Sequence, residues 1–586
     1  MNTKTTDWVR FKRYLVGYWK LQAAVLILGA MSVPLGLINP YLTKLIIDKA
    51  YANRDLRLFI ILALIGGGVF LLNGVLNALK GYLSQHINKK VHFDMTRDLF
   101  RRLQNLPLKF FNDQSTGEHM FRLSSDVGSV SGFICNTVPE AIRLYPRTLF
   151  TFGLVFYLNW KMALFALALV PLSLLPPYFF GKWLKEITRE MIAKSEGIFR
   201  GLGEVFMHIP LVKALGKEEY ETRRFEKALS QRLTLELQTA KVSNISGFTG
   251  SIINKIITGA IAFYGGYQVI QGAMSLGSLT AIMIYLSQFV GLIASIARLN
   301  ESIITNSVSR DRLTALLDVK PQTQDKTNAI DFSIQRGTIE FKEITFGYKE
   351  DNPVLKNINL SIGTGTKAAL VGPSGCGKTT LLSLLLRLYE LQNGSIYIDG
   401  CDLADIKGES FRKQIGVALQ EPFLWNDSVR NNILYAAGKA SEEEILKAAR
   451  IAEADDFIRR LPNGYDTLLG EYACKISDGQ KQRVAIARAV LPKAKIFIFD
   501  EAMSSVDSQL EDKIINNIKC EFKDSTILMV SHRLSAIQAM DLVYFMDPSG
   551  KIEVGTHEAL LNSSARYVDF LSHQLESAAR IPLVPR

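Results

Sequence analysis

Before residue 300, six apolar stretches recur: Leu21–Ile47, Leu58–Leu79, Val138–Leu158, Met162–Phe180, Ile245–Val269 and Leu276–Ile296. Each is close to or above the ~20 residues a helix needs to cross the hydrocarbon core, so a six-span membrane bundle explains them better than a large soluble core. Three of the stretches hold internal prolines (Pro34 and Pro40; Pro146; Pro171, Pro176 and Pro177), which soluble helices rarely tolerate. The chain has 586 residues, of which 48% are hydrophobic and 21% charged, and this mix excludes wholesale disorder. The five cysteines (Cys135, Cys376, Cys401, Cys474, Cys520) show no CxxC or Cys/His spacing. They indicate neither a disulfide framework nor a zinc site and read as reduced thiols facing a cytosolic milieu.

A formal charge of +12 fits nucleic acid, anionic lipid or the positive-inside bias of a membrane protein. Its distribution decides. Residues 80–130 hold eight Lys/Arg and residues 182–242 hold twelve, whereas the three short connections on the other side hold only Lys49, Arg54, Arg57 and Lys161. The long connections, about 80–135 and 182–243, and both termini are therefore expected in the cytosol, and no nucleic-acid partner is needed. Residues 7–20 (DWVRFKRYLVGYWK) mix aromatic and basic side chains before the first span and read as an interfacial helix on the inner leaflet. The apolar run after them is too long, and lacks the small-residue site, for a cleavable signal peptide.

These patterns predict a transmembrane domain over 1–318, a polar linker over 319–336 and a second domain over 337–576. In the last, short strand-like runs alternate with helical patterns, the sign of an α/β domain with a largely parallel sheet. The tail, 577–586, closes on IPLVPR, which resembles a protease-site remnant and is left out of the fold argument.

The second domain carries the chemistry. Residues 368–380 (AALVGPSGCGKTT) read as a strand, then GxxxxGK[ST], then an apolar helix. Such a loop wraps phosphates with backbone N–H groups. Gly372, Ser374, Gly375, Cys376 and Gly377 form the wrap, Lys378 reaches the β- and γ-phosphates, and Thr379, followed by Thr380, offers a hydroxyl to Mg²⁺. About 120 residues on, IFIFDE ends an apolar strand in two carboxylates. Asp500 is positioned to hold Mg²⁺ and Glu501 to polarise the attacking water as general base.

The stretch Ile476–Ala489 (ISDGQKQRVAIARA) resembles the signature of ATP-binding cassette (ABC) proteins, and the resemblance extends over nearly the whole chain. It implies a role in ATP binding for Ser477, Asp478, Gly479 and Gln480. By the same resemblance Tyr348 stacks on adenine, and Gln420 is the Q-loop glutamine that senses Mg²⁺ and substrate. Asp507 closes the D loop Ser504–Asp507, and His532 is the switch histidine that contacts the γ-phosphate. Gly470-Glu471 resembles the start of the motif with which exporter-type members address their membrane helices, and Phe110–Ile134 and Gly203–Phe225 resemble their two cytoplasmic docking loops. Six spans before one cassette are the layout of an exporter-type half-transporter, which implies a dimer with two ATP molecules, each between one P-loop and the opposite signature.

One departure from the family pattern is informative. The signature is usually Leu-Ser-Gly-Gly-Gln, and here Asp478 replaces the first glycine. A carboxylate near the opposite γ-phosphate repels it by on the order of a kcal/mol, depending on screening. Two readings follow: a heterodimer with one impaired site, or a homodimer that tolerates Asp478.

Charges inside spans are costly and mark function. Arg147 lies ~18 Å and Arg143 ~24 Å below the outer end of the third span, and Lys255 sits at a comparable depth in the fifth. Facing a cavity, these cations favour an anionic amphiphile; alternatively they pair with Glu140 or snorkel to the headgroups. Arg143 resembles a basic residue of lipid-A flippases, but the sixth span shows no matching basic pair.

The expectation is thus an α-helical six-span bundle followed by an α/β P-loop ATPase, with ATP and Mg²⁺ as ligands. Such a dimeric half-transporter would export or flip an amphipathic drug, lipid or peptide across a bacterial inner membrane. Import of a siderophore-like molecule, or a soluble cassette acting on nucleic acid, are the alternatives.

Overall fold

The computed structural model describes residues 3–579 except Ser115, 320–324, 350–351, 471–472 and Cys474, and, for side chains, a few further positions. The chain divides into two units, Met1–Lys320 and Pro321–Arg586.

The first unit is helical throughout. It begins with α1 (Thr3–Val16) and α2 (Trp19–Leu45), which runs on as a π-turn to Tyr51, and continues with α3 (Leu56–Gln104) and the short α4 (Leu108–Asp113), α5 (Thr116–Phe121) and α6 (Val127–Gly132). Then come α7 (Val138–Leu158), α8 (Trp160–Met207), α9 (Ile209–Ala214), α10 (Glu218–Ile270) and α11 (Leu276–Asp318). Five of these helices are long and apolar enough to cross a membrane. The remaining span, α7, carries Glu140, Arg143 and Arg147 within its 21 residues and is correspondingly less apolar.

The connections read as loops over 80–135 and 182–243 are mostly helix. With 49, 48 and 53 residues, α3, α8 and α10 are each ~70–80 Å long, more than twice the hydrocarbon thickness. The apolar pattern stops near Leu79 and Phe180, but nothing breaks the backbone there, so the helices run on with charged faces. The described helices of these connections break at Pro107, at Gln114, at the His208–Pro210 turn and at Leu215–Lys217, where Gly216 stands at φ 60°. The N-terminal helix also differs from its expected bounds, ending at Val16 rather than running to Lys20. Its Phe11 is buried in a cluster with Met95, Leu99, Val127 and Leu313, and Tyr18 donates to Asp94 at 2.7 Å.

The second unit holds two sheets. Strands β1 (Ile339–Phe346), β2 (Leu355–Ile362), β4 (Asn393–Ile398) and β5 (Cys401–Asp402) form an antiparallel sheet in the order β2-β1-β4-β5. The other strands are β3 (Lys367–Val371), β6 (Ile415–Ala418), β7 (Ile496–Asp500), β8 (Thr526–Val530), β9 (Leu542–Met546) and β10 (Ile552–Gly555). They form the order β10-β9-β3-β8-β7-β6, parallel except for β10. The separate antiparallel sheet departs from the single largely parallel sheet expected. Its physical reason is the short connection between β1 and β2, since a parallel pair needs a crossover of about a dozen residues or more. Strands β3, β7 and β8 are buried along their whole lengths, as parallel strands covered on both faces must be.

Candidate functional site

The order β3-β8-β7-β6 brings four distant segments to one edge of the parallel sheet, because each emerges from the carboxyl end of a neighbouring strand. These are the glycine-rich loop after β3, His532 after β8, Asp500 and Glu501 at the end of β7, and Gln420 after β6.

The loop turns sharply at Gly372, with φ 154°, where a Cβ would lie 2.2 Å from the Met546 carbonyl oxygen. It delivers the chain into α12 (Lys378–Leu385), whose first N–H groups remain free for an anion. The Lys378 side chain is buried, and its ammonium donates to the carbonyls of Gly372 at 2.7 Å and Pro373 at 2.9 Å, which pins a positive charge against the loop. From the antiparallel sheet, Tyr348 reaches the same place. Its hydroxyl lies 3.1 Å from Thr380 Oγ1 and its ring packs edge-on against Phe346 and Tyr389, while the residue stays 44% exposed with a face open to a base.

Glu501 stands at φ 49°, a strained left-handed backbone for a non-glycine residue, which lifts its side chain off the strand end. Gln420 Nε2 donates to Glu501 Oε2 at 2.8 Å, and His532 Nε2 lies 2.7 Å from Glu501 Oε1. Asp500 is almost fully buried and its Oδ1 has no hydrogen-bond partner among the described residues. Burial pushes its carboxyl above the usual range, against the Thr379 hydroxyl and the Lys378 charge, which favour ionisation.

The signature residues form a second, separate group. Ser477 caps the helix Asp478–Val490, accepting from Gln480 N at 3.4 Å, while the Gln480 side chain accepts from Ser477 N at 3.0 Å, a reciprocal capping box. Asp478 bonds Lys481 Nζ at 3.0 Å and its side chain is 77% exposed. Among the described residues Ser477, Asp478, Gly479 and Gln480 make no hydrogen bond to the P-loop, Gln420, Glu501 or His532. Asp507 caps the helix Ser508–Glu521 and accepts from Leu510 N at 3.0 Å. Of the family motifs, Glu471 lies outside the described residues.

In the membrane unit, Arg143 donates to both oxygens of Glu140, at 2.5 and 2.7 Å. Arg147 forms no ion pair among the described residues. Lys255 is exposed and forms no ion pair among the described residues. The structure supplies a cation missed in the sequence: Lys80 of α3. A Cβ on Gly29 of α2 would lie 3.0 Å from Arg143 Cδ and 3.9 Å from Lys80 Cδ, so the bare glycine makes room for both side chains. Lys80 closes an otherwise apolar run, and so it reads as the first residue of a cytosolic connection rather than as a partner of α7.

A phosphate-wrapping loop, a buried unpaired carboxylate oxygen and an acid held between a glutamine and a histidine, on a chain with long apolar helices, define a membrane-embedded P-loop nucleoside triphosphatase. Residues 23–293 match the ABC transporter transmembrane region, and residues 355–504 the ABC transporter ATPase family. The chain is 33% identical over 527 residues to an ATP-dependent lipid A-core flippase of Desulfotalea psychrophila, covering 90% of this chain and 92% of that one. It is 30% identical over 569 residues to a putative multidrug export ATP-binding/permease protein of Bacillus subtilis, covering 95% and 97%. A solved structure of a bacterial Atm1-family ABC exporter with ATP bound superposes with a TM-score of 0.85 at 25% identity, covering 96% of this chain and 98% of that one. The chain belongs to the ABC transporter family. It is a membrane protein that binds ATP and couples its hydrolysis to export or flipping of a substrate, and its half-transporter fold implies a dimer.

Proposed function

We propose that this chain is the half-transporter of a bacterial inner-membrane homodimer, with cytosolic termini, that moves an anionic amphiphile out of the inner leaflet. The observation that carries the ATPase half is the convergence at the ends of β3, β8, β7 and β6. The P-loop amides and Lys378 bind phosphate, Tyr348 offers its ring to adenine, and His532 holds the γ-phosphate. Glu501 takes the proton of the attacking water: Gln420 and His532 already orient its two oxygens, and a positioned carboxylate contributes ~10²–10⁴-fold as general base.

The residues also fit a divalent cation. Asp500 Oδ1 is a buried acceptor without a partner, the Thr379 hydroxyl is beside it, and Gln420, donating through Nε2, keeps its carbonyl oxygen free. Mg²⁺ held by Thr379, Asp500 and Gln420 would neutralise phosphate charge, and hard oxygen donors suit it.

For the substrate, the support is Lys80, Arg143 and Arg147 beside a single carboxylate, Glu140, an excess of positive charge at the inner-leaflet depth of a bundle. That excess suits a phosphate- or carboxylate-bearing headgroup, in keeping with the lipid-directed name of one relative. The homodimer reading is favoured by the Asp478–Lys481 ion pair, which neutralises the charged departure from the family signature.

The test is steady-state ATPase activity of the chain alone in liposomes, with Glu501→Gln as blank, in neutral lipid and with an anionic amphiphile added. Expected are turnover abolished by Glu501→Gln, and stimulation by the anionic amphiphile that is lost in Arg147→Ala. Activity of wild type at the blank level would overturn the homodimer, and equal stimulation by neutral and anionic amphiphiles would overturn the substrate class.

A further inference from the structure

The D loop Ser504–Asp507 is gripped from two sides by Arg533 and Gln482, side chains to which no role has been assigned above. On one side is Arg533, the residue after the switch histidine. Its Nη2 donates to the Ser504 carbonyl at 2.7 Å, and its Nη1 donates to the Val506 carbonyl at 2.6 Å and to Glu511 Oε2 at 2.6 Å. Glu511 is 2% exposed, on the first turn of the helix that Asp507 caps, so the ion pair fixes the guanidinium plane from below. On the other side is Gln482, also 2% exposed and one turn beyond the signature. Its Nε2 donates to Ser504 Oγ at 2.9 Å and its Oε1 accepts from Ser505 N at 2.8 Å. Gly479 of the signature closes the contact, since a Cβ there would lie 2.7 Å from the Ser505 carbonyl oxygen.

The planar guanidinium is the part that only arginine supplies. It presents its donors in a fixed planar fork that sets the positions of two carbonyls and a carboxylate relative to one another, whereas an ammonium is a point charge with rotatable donors on a flexible stem and imposes no such plane. Because Arg533 is bonded through the chain to His532, a movement of His532 against Glu501 displaces the fork and the carbonyls it holds. Through Ser504 and Ser505 the displacement reaches Gln482 and the signature helix.

We propose that Arg533 is a positioning residue for ATP hydrolysis: with Gln482 opposite, it clamps the D loop between the switch histidine and the signature helix, so that His532, Glu501 and the signature adopt the hydrolytic arrangement together. This rests on the reading of Glu501 and His532 as the hydrolytic pair. It adds that the pair works only with the D loop held, and that the residues holding it affect turnover without affecting nucleotide affinity.

The experiment compares wild type, Arg533→Lys, Gln482→Leu and Glu501→Gln as full chains in liposomes, measuring kcat, KM for ATP and thermal midpoint. Arg533→Lys keeps the charge opposite Glu511 but loses the fork. Expected is a fall in kcat of about tenfold or more, with KM within about twofold and the thermal midpoint near wild type. Gln482→Leu, of similar volume, is expected to give the same split, and it serves where Arg533→Lys does not fold. Wild-type kcat in Arg533→Lys or Gln482→Leu, with Glu501→Gln inactive, would overturn the clamp and leave the site reading standing. KM and thermal midpoint moving in step with kcat would also overturn it, because Arg533 would then be structural only. Full activity in Glu501→Gln would remove the reading on which the proposal rests.

Discussion

Asp478→Gly restores the residue that the family signature usually has, and the structure sets how little this should do. A lone carboxylate ~6 Å from a phosphate charge in a water-like dielectric costs ~0.7 kcal/mol. Here the carboxylate is bonded at 3.0 Å to Lys481 Nζ, and its side chain is 77% exposed. An ammonium ~9 Å from the same phosphate returns ~0.5 kcal/mol, leaving a net repulsion of ~0.2 kcal/mol, less than twofold in affinity. Asp478→Gly should therefore change KM for ATP and kcat by less than about twofold. Lys481→Met unmasks the carboxylate and should raise KM about twofold, an effect that shrinks in high salt. The double substitution should return KM to near wild type. Stability moves the other way: losing an acid from the first turn of the helix and its i,i+3 pair should lower the folding free energy by ~0.5–1.5 kcal/mol. The assay is ATPase activity against ATP concentration for the four proteins in liposomes, with thermal unfolding alongside. A tenfold or greater rise in kcat for Asp478→Gly would refute the reasoning and show that the acid disables a site, as the heterodimer reading requires.

Three further predictions concern parts outside the nucleotide site. Lys367, 4% exposed, donates through Nζ to the carbonyls of Gly365, Phe522, Lys523 and Ser525 at 2.7–3.1 Å. Lys367→Met takes this donor from all four acceptors, of which the Phe522 carbonyl keeps Ser525 N at 3.2 Å, and should cost ~3 kcal/mol or more of stability in the ATPase unit by denaturant titration. His119, 8% exposed, has neither ring nitrogen hydrogen-bonded among the described residues and is packed between Phe110 and Phe111, and burial, then the Arg122 charge, hold its pKa below the usual value, with Glu118 opposing. The unfolded chain therefore takes up the proton first, so this histidine loses stability as pH falls below ~6.5, and His119→Phe should flatten that slope in pH-dependent unfolding. A Cβ on Gly117 would lie 2.9 Å from the Phe199 carbonyl oxygen, so Gly117→Ala should force α5 from α8 and raise the rate of limited proteolysis in the first cytoplasmic connection.

Local chemistry was legible and tertiary chemistry was not. The P-loop and the carboxylates at the end of β7 each depend on residues a few positions apart, so the spacing alone specifies them. The apolar stretches were legible because a bilayer imposes a fixed length. Their continuation was not: once α3 and α8 leave the hydrocarbon, charged residues no longer distinguish a solvated helix from a loop. The same blindness hid Lys80, whose role comes from Gly29 and Arg143 on other helices. Gln482 and Arg533 went unnoticed because what they hold, the backbone of Ser504–Val506, is 22 to 29 residues away in sequence.

The arrangement of the signature also explains why one chain is an incomplete enzyme. In a helix of 13 residues, Ser477 Oγ satisfies only Gln480 N, so the N–H groups of Asp478 and Gly479 keep no partner within the helix and point along its positive end. Such a terminus favours an anion. The phosphate-binding residues of the same chain, however, gather around the P-loop and Glu501, and none of them is hydrogen-bonded to the signature group. Two half-sites of matching chemistry that do not meet within a chain are what a two-fold assembly joins, since in an isologous contact each copy offers both halves to the other. On the proposed homodimer reading, ATP would bridge the copies and its hydrolysis would remove the bridge. This account requires the D loop, which lies between the two half-sites of one chain, to hold its shape while the copies close, and Arg533 and Gln482 are placed to hold it.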